Sequence, residues 1–269
     1  MKVVILCGGK GTRLREETEF RPKPMVEIGG RPILWHIMKL YAHYGFNEFV
    51  LCLGYKGSMI KEYFLNYDSM INDFTLALGL GQRPGITFHD GDEPNTFMVT
   101  LADTGPETMT GGRLKRVEHY ADGDTVMVTY GDGLSDVNIG DLLRFHRSHG
   151  KLATVTAIQP ISRFGVLEIA SDGTVGCFRE KPPAEEWING GFFVFERGVF
   201  DYLDEECVLE QAPLMNLAAG GQLVAYRHPG FWYAMDTYRD TLFLNDLWNK
   251  GDAPWAVWQP LTLKALVER

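Results

Sequence analysis

A chain with a formal net charge of -9 gathers cations at one place. Arg13, Arg15, Arg21 and Lys23 fall within eleven residues, although the whole sequence holds 26 Lys and Arg against 35 Asp and Glu. Just ahead of them runs Leu6-Cys7-Gly8-Gly9-Lys10-Gly11-Thr12-Arg13-Leu14. Glycines let a backbone turn sharply and approach a ligand closely. Successive N–H groups in such a turn form an anion-binding concavity, and Arg13 can add a forked donor to phosphate oxygens. Pro22 and Pro24 flank Lys23 and stiffen the backbone that aims its ammonium. The set suits a triphosphate, which needs backbone donors and several cations together. The dinucleotide pattern G-x-G-x-x-G fits only partly, because Leu14 takes the third glycine position, and the P-loop pattern fits nowhere. A ligand-free structural turn and a solvated basic face are the plainer alternatives.

Two aspartates could complement those cations. Asp132 stands between Gly131 and Gly133, just past the apolar run Thr125–Tyr130. Ligands of open α/β sheets bind outside the carboxyl ends of strands, where a carboxylate can hold a divalent ion against phosphates. A turn aspartate is the alternative. Asp236, ahead of Thr237, reads from the sequence alone as a helix N-cap. Glu180-Lys181 reads as a salt-bridged surface pair. The seven histidines show no nucleophile or metal spacing. Cys7, Cys52, Cys177 and Cys207 lie far apart with no CxxC pair, which points to buried reduced thiols. Trp232 suits either a ligand contact or core packing.

These residues must be positioned by a repeating β–α pattern. Lys2–Cys7, Glu48–Leu53 and Thr125–Tyr130 are apolar runs of buried parallel strands. Ile33–Tyr44, closed by Gly45, and Ile139–His149, closed by Gly150, carry helical stripes, and Lys56–Tyr67 is a further helix. The rhythm predicts a doubly wound, mostly parallel sheet. After about residue 151 it turns strand-rich: Leu152–Ile158, Gly165–Ile169, Val175–Arg179 and Gly191–Phe195, with Ser171-Asp172-Gly173 as a hairpin turn. Helices are expected near Leu209–Ala219 and Thr237–Trp248. Residues 68–110 read as a long loop with short strands. The 269 residues suit one large or two modest domains, and no linker composition divides them.

Composition narrows the partners. An acidic chain repels a phosphate backbone, so nucleic acid is not expected. No apolar run reaches the roughly 18 residues of a membrane span, and the apolar start is too short for a signal peptide, so a cytoplasmic location without membrane contact is expected.

The glycine-rich turn followed by Arg21-Pro22-Lys23-Pro24-Met25 resembles the signature of the sugar-1-phosphate nucleotidylyltransferases, with Cys7 where an alanine is usual. The resemblance continues through Val26–Leu34, Tyr130–Gly133, Phe164–Glu168, Glu180–Pro182, Ile188–Val194 and Met235–Thr237, and so spans nearly the whole chain. It implies a Rossmann-like α/β fold with a smaller β-rich sugar-binding portion. The implied organisation is a single domain over residues 1–269. Residues 1–150 or so form a nucleotide-binding half, 151–250 a sugar-phosphate-binding half, and 251–269 a C-terminal tail.

Trp35–Met38, Asp103–Gly105, Met109–Arg116 and His228–Trp232 are similar to the branch of that family that makes CDP-glucose from CTP and glucose 1-phosphate. The resemblance assigns Leu6, Cys7, Gly8, Gly9, Lys10, Gly11, Thr12, Arg13, Lys23, Thr104, Gly111, Gly112, Arg113 and Gly131 to the nucleotide. It assigns Gly165, Glu180, Lys181 and Asn189 to the sugar phosphate and Asp132 and Asp236 to Mg²⁺. Arg13, Lys23 and Lys181 are the implied catalytic cations, and a homo-oligomer is implied. Sibling transferases using dTTP or UTP, a non-catalytic nucleotide-sugar sensor and a nicotinamide dehydrogenase are the competing readings. Leu14 disfavours the last. The joint presence of Arg13, Lys23, Asp132, Lys181 and Asp236 disfavours the sensor.

Overall fold

The structure is a computed structural model that describes residues 1–78, 85–89, 97–161, 164–182 and 184–259. Its centre is a seven-stranded sheet. In chain order the strands are β1 (Val3–Leu6), β2 (Glu48–Leu53), β3 (Met98–Asp103), β4 (Thr125–Tyr130), β5 (Ala153–Ile158), β6 (Ile188–Glu196) and β7 (Leu223–Arg227). Across the sheet they lie β7-β5-β6-β4-β1-β2-β3. β1 pairs in parallel with β2 and β4, β2 with β3, and β5 with β7. Only β6 runs against its neighbours β4 and β5. The mostly parallel, doubly wound sheet expected from the β–α rhythm is therefore present. Among the described residues no helix is long and apolar enough to cross a membrane.

Both faces of the inner strands are buried, which is why they read as continuous apolar runs. Val3 and Ile5 point into one core with Met127, Phe192 and Val194. Val4 and Leu6 point into the other with Val128, Phe193 and Phe195. Helices Ile33–His43, Gly57–Leu65, Ile139–His149 and Tyr238–Lys250 supply side chains to the first core, and Thr110–Arg116 and Ala212–Ala219 to the second. The expected Gly150 terminator is left-handed, with φ 63°. At the start of that helix the Asn138 side chain accepts the Asp141 amide at 3.0 Å.

Several expectations need correction. The helix expected over Lys56–Tyr67 is broken at Asn66 into Gly57–Leu65 and Tyr67–Ile71. Residues 68–110 are not mainly loop: Met98–Asp103 is an edge strand of the central sheet. Only Ala102 of that strand is fully buried, so it lacks the apolar run that marks an inner strand. Phe74–Ala77 and Gly85–Phe88 pair antiparallel as a small two-stranded sheet. Residues 79–84 and 90–96 of this region, and 260–269 of the expected C-terminal tail, lie outside the described residues. The strand-rich stretch after residue 151 extends the same sheet through β5, β6 and β7. Val166–Ile169 and Val175–Arg179 stand apart from it as a separate hairpin.

Candidate active site

A cleft of about 520 Å³ opens at the carboxyl ends of β1 and β4. β1 has neighbours reached by opposite windings, so its end is the topological switch where such folds bind ligands. The antiparallel β6 brings its amino end, with Asn189, Gly190 and Gly191, to the same rim. Leu6, Cys7, Gly8, Gly9, Gly11, Thr12, Arg13, Lys23, Arg113, Gly131, Asp132, Asn189 and Asp236 all line it. Residues more than 200 positions apart in sequence thus share one hollow.

The turn after β1 is shaped for close approach. Gly11 has φ 61°, and a Cβ there would come within 2.6 Å of the Thr18 side chain. Among the described residues the amides of Gly9, Lys10 and Gly11 take no backbone acceptor. Thr12–Leu14 and Arg15–Thr18 follow as a short 3₁₀ turn and a single helical turn. Cys7 is buried, and burial pushes its thiol well above the usual range, so it is not a nucleophile.

Charges concentrate on the floor. Pro22 is extended, and Lys23 opens the one-turn helix Lys23–Met25 with Pro24 in its first turn. The proline-flanked ammonium is thereby carried inward, to 8% exposure. Lys23 Nζ lies 2.6 Å from Asp132 Oδ2 and 2.8 Å from Asp236 Oδ1. Burial alone would lower the Lys23 pKa; Asp132 and Asp236 outweigh it and raise the group above its ordinary value. Arg13 Nη1 donates to the other Asp236 oxygen at 2.8 Å. The N-cap alternative for Asp236 fails. Thr237 caps the helix Tyr238–Lys250, in a capping box with Asp240. Asp236 precedes that cap, and its carboxylate is turned to the cations.

Arg113 is just as buried, at 3% exposure, but differently employed. Its guanidinium donates to the carbonyls of Leu53, Gly105 and Gly8 at 3.0, 2.7 and 3.1 Å and to Thr104 Oγ1 at 2.7 Å. A Cβ on Gly8 would lie 2.0 Å from its Cζ, so Gly8 is required for the guanidinium to fit. Arg113 therefore ties the ends of β1, β2 and β3 together.

Other expected residues stand outside the cleft lining. Lys10 pairs with Glu107 at 2.8 Å. Thr104 is buried and donates to the Leu53 carbonyl. Gly111 and Gly112 give the helix Thr110–Arg116 room against Cys207 and the Glu205 carbonyl. Gly165, Glu180 and Lys181 belong to the exposed hairpin arm. There a Gly165 Cβ would meet the Phe178 ring and lie 3.1 Å from Glu180 Oε2, and Lys181 adopts φ 45°, rare without glycine. Trp232, left open between ligand contact and core, does line the cleft and donates to the Gly190 carbonyl at 2.7 Å.

The residue reading missed Thr108, Met109, Thr110 and Tyr130 as lining side chains. Tyr130 could have been found by period-two alternation: it shares the face of Val126 and Val128, the face that carries Arg113's helix.

The family model described as "Nucleotidyl transferase" matches residues 2–219. A Salmonella typhimurium protein named glucose-1-phosphate cytidylyltransferase is 52% identical over 262 residues, covering 96% of this chain and 100% of its own length. A Bacillus subtilis protein named "Probable glucose-1-phosphate cytidylyltransferase" is 48% identical over 260 residues, with coverage of 96% and 100%. The crystal structure of HddC from Yersinia pseudotuberculosis shares the fold, with a TM-score of 0.66 at 22% identity over 92% of this chain and 99% of that one. A phosphate-ready turn, a buried lysine between two aspartates and these full-length similarities all point one way: the chain belongs to the nucleotidyl transferase family.

Proposed function

We propose that the protein transfers a cytidylyl group from CTP to α-D-glucose 1-phosphate, giving CDP-glucose and pyrophosphate. The observation that carries this reading is 48–52% identity over nearly the full length to proteins named for that activity. The cleft supplies the means.

A phosphate oxygen of glucose 1-phosphate attacks the α-phosphorus of CTP, and pyrophosphate leaves in line. The attacking group is already an anion, so no strong base is needed. The chain's task is to hold two anions together and neutralise the charge that develops. Arg13 and Lys23 face the triphosphate, with the amides of Gly8, Gly9, Lys10 and Gly11 and the Thr12 hydroxyl around it. Leu6, Cys7 and Gly131 line the same end. Arg113 serves the nucleotide through the loops it ties, and Thr104, Gly111 and Gly112 support that wall from behind. Gly165, Glu180, Lys181 and Asn189 take the sugar phosphate, Lys181 as its counter-charge.

Asp132 and Asp236 fit a metal. The Lys23 ammonium lies 2.6 and 2.8 Å from an oxygen of each carboxylate, which supports a shared cation position there. Two hard carboxylates, completed by phosphate oxygens and waters, suit Mg²⁺. Among the described residues no group of three or more His, Cys, Asp or Glu could hold a metal alone. Bound there, Mg²⁺ would neutralise charge at the α-phosphate as a Lewis acid.

The test is a matrix of four nucleoside triphosphates against several sugar 1-phosphates, read by pyrophosphate release. CTP with glucose 1-phosphate should give the highest kcat/KM; a clear preference for dTTP or UTP would sink the cytidine assignment. A cytoplasmic homo-oligomer goes with this reading. Exposed Phe74, Leu76, Ile86 and Phe88 on one small two-stranded sheet support self-association, and light scattering on the eluted protein checks it.

A further inference from the structure

Tyr130 ends β4, and its hydroxyl is surrounded by groups from three distant segments. It donates to Oε1 of Glu210. The other Glu210 oxygen accepts from Thr110 Oγ1 at 2.6 Å. Asn189 Nδ2 donates to the Tyr130 oxygen at 3.2 Å. Asn189 Oδ1 in turn accepts the Gly191 amide at 2.8 Å, which fixes the end of the amide that faces the tyrosine. The Tyr130 ring cannot swing away: a Cβ on Gly191 would lie 2.4 Å from it, and Phe193 stands edge-on at 5.8 Å. Tyr130, Thr110 and Asn189 line the cleft; Glu210 does not.

The donor count decides what this corner offers. An ionised carboxylate only accepts, and a phenol has one proton. That proton is committed to Glu210. Burial, with Glu210 alongside, holds the phenol in its protonated form. What remains is one lone pair on the Tyr130 oxygen and the second N–H of Asn189. One acceptor beside one donor complements a hydroxyl, which gives one hydrogen bond and takes one. A phosphate or carbonyl oxygen can only accept and would use half of the pair.

Topology says which hydroxyl. β4 and β6 lie on one side of β1, whereas β2, β3 and the Arg113-tied loops lie on the other. Asn189 is the second residue of the strand entered from the arm that carries Glu180 and Lys181. We propose that Tyr130 and Asn189 together read one hydroxyl of the glucose ring, and that Glu210 is the positioning residue that points the Tyr130 hydroxyl. This rests on the glucose 1-phosphate reading above.

The experiment is a coupling measurement. kcat/KM is determined for glucose 1-phosphate and its 2-, 3-, 4- and 6-deoxy analogues at saturating CTP, with wild type, Tyr130→Phe and Glu210→Gln. Parallel arms use 2′-deoxy- and 3′-deoxy-CTP. One deoxy sugar should lose about tenfold with wild type and almost nothing further with Tyr130→Phe, because the same hydrogen bonds are already gone. Glu210→Gln should shrink the penalty for that same analogue, although Tyr130 keeps its hydroxyl. A merely structural role would depress every analogue equally, and that result overturns the proposal. So does coupling to a ribose hydroxyl in place of a glucose hydroxyl. Absence of wild-type turnover with CTP and glucose 1-phosphate overturns the underlying reading as well, and is seen before any variant is compared.

Discussion

Two buried cations face the same cleft from different regions and are neutralised in different ways. On the floor, Lys23 sits between the carboxylates of Asp132 and Asp236, with Arg13 on the far side of Asp236. In the wall, Arg113 has carbonyls and one hydroxyl around it. On the proposed reading a divalent ion would share the carboxylates on the floor, so that charge arrangement would be redistributed when a polyanion arrives. The carbonyls of the wall belong to three strand ends and cannot leave, so that region fixes shape. Desolvation lowers the Arg113 pKa, only partly opposed by Cys52, Cys7 and Asp103, yet guanidinium is basic enough to stay charged. The difference predicts that floor substitutions act on turnover and wall substitutions on stability.

The largest effect is expected at Lys23. Lys23→Ala should lower kcat/KM roughly 30- to 1000-fold, about 2–4 kcal/mol of transition-state stabilisation. Its urea midpoint should move little, because Arg13 still pairs with Asp236. Wild-type kinetics in a folded variant would make Lys23 a structural counter-ion and erase the contrast.

Next comes Asp236→Asn. The helix start is held by Thr237 and Asp240, so the fold should be indifferent to the change. At limiting Mg²⁺ activity should fall on the order of 10- to 100-fold, with partial recovery as Mg²⁺ is raised. Combined with Asp132→Asn, the loss should be smaller than the sum, as two ligands of one proposed ion would give. A metal titration identical to wild type would rule out the ligand role.

Arg113→Ala sharpens the other side. Losing a guanidinium that satisfies buried carbonyls should cost about 2 kcal/mol of stability. Gly8→Ala should cost a similar amount, because its new methyl occupies the guanidinium's space. The double variant, read by urea denaturation, should cost less than the two together; strict additivity would break the picture of one interlocked wall.

The smallest effect is a pH dependence. His36 is buried with neutral partners: one ring nitrogen lies 2.8 Å from the Ile28 carbonyl, and the other accepts from Trp255 Nε1 at 3.2 Å. Burial lowers its pKa to about 4. Unlike Arg113, an imidazole can lose its charge and does. The unfolded chain then binds the proton first, so stability falls with acidification from the unfolded pKa of about 6.5 towards 4. Between pH 7 and 5.5 this site should remove about 1 kcal/mol. His36→Gln should flatten that part of the profile; an unchanged slope would show that His36 is not the titrating group.

Much of this was legible because it is local. β1, β2 and β4, the helices Ile33–His43 and Ile139–His149, and the glycine turn each announce themselves by apolar runs, period and terminators within a dozen residues. Edge strands β3 and β7 did not, since half-solvated strands carry a weak apolar signal. The site residues split the same way: Lys23 was marked by its prolines and Asp132 by its glycines, whereas Thr110 and Glu210 carry no mark in their neighbours.

The apolar rhythm and the motif spacing by themselves determined the fold class, the glycine-rich turn and the cations that follow it. Only the tertiary structure decided how each charge is used. Asp236 reads as a cap until Thr237 is seen to occupy that position. Arg113 is assigned to the nucleotide by resemblance alone; that its guanidinium donates to the ends of three strands is seen only in the fold. The physical reason is that a side chain's role is set by the partners left to it after packing. Those partners come from segments up to 223 residues away, at separations no local pattern records.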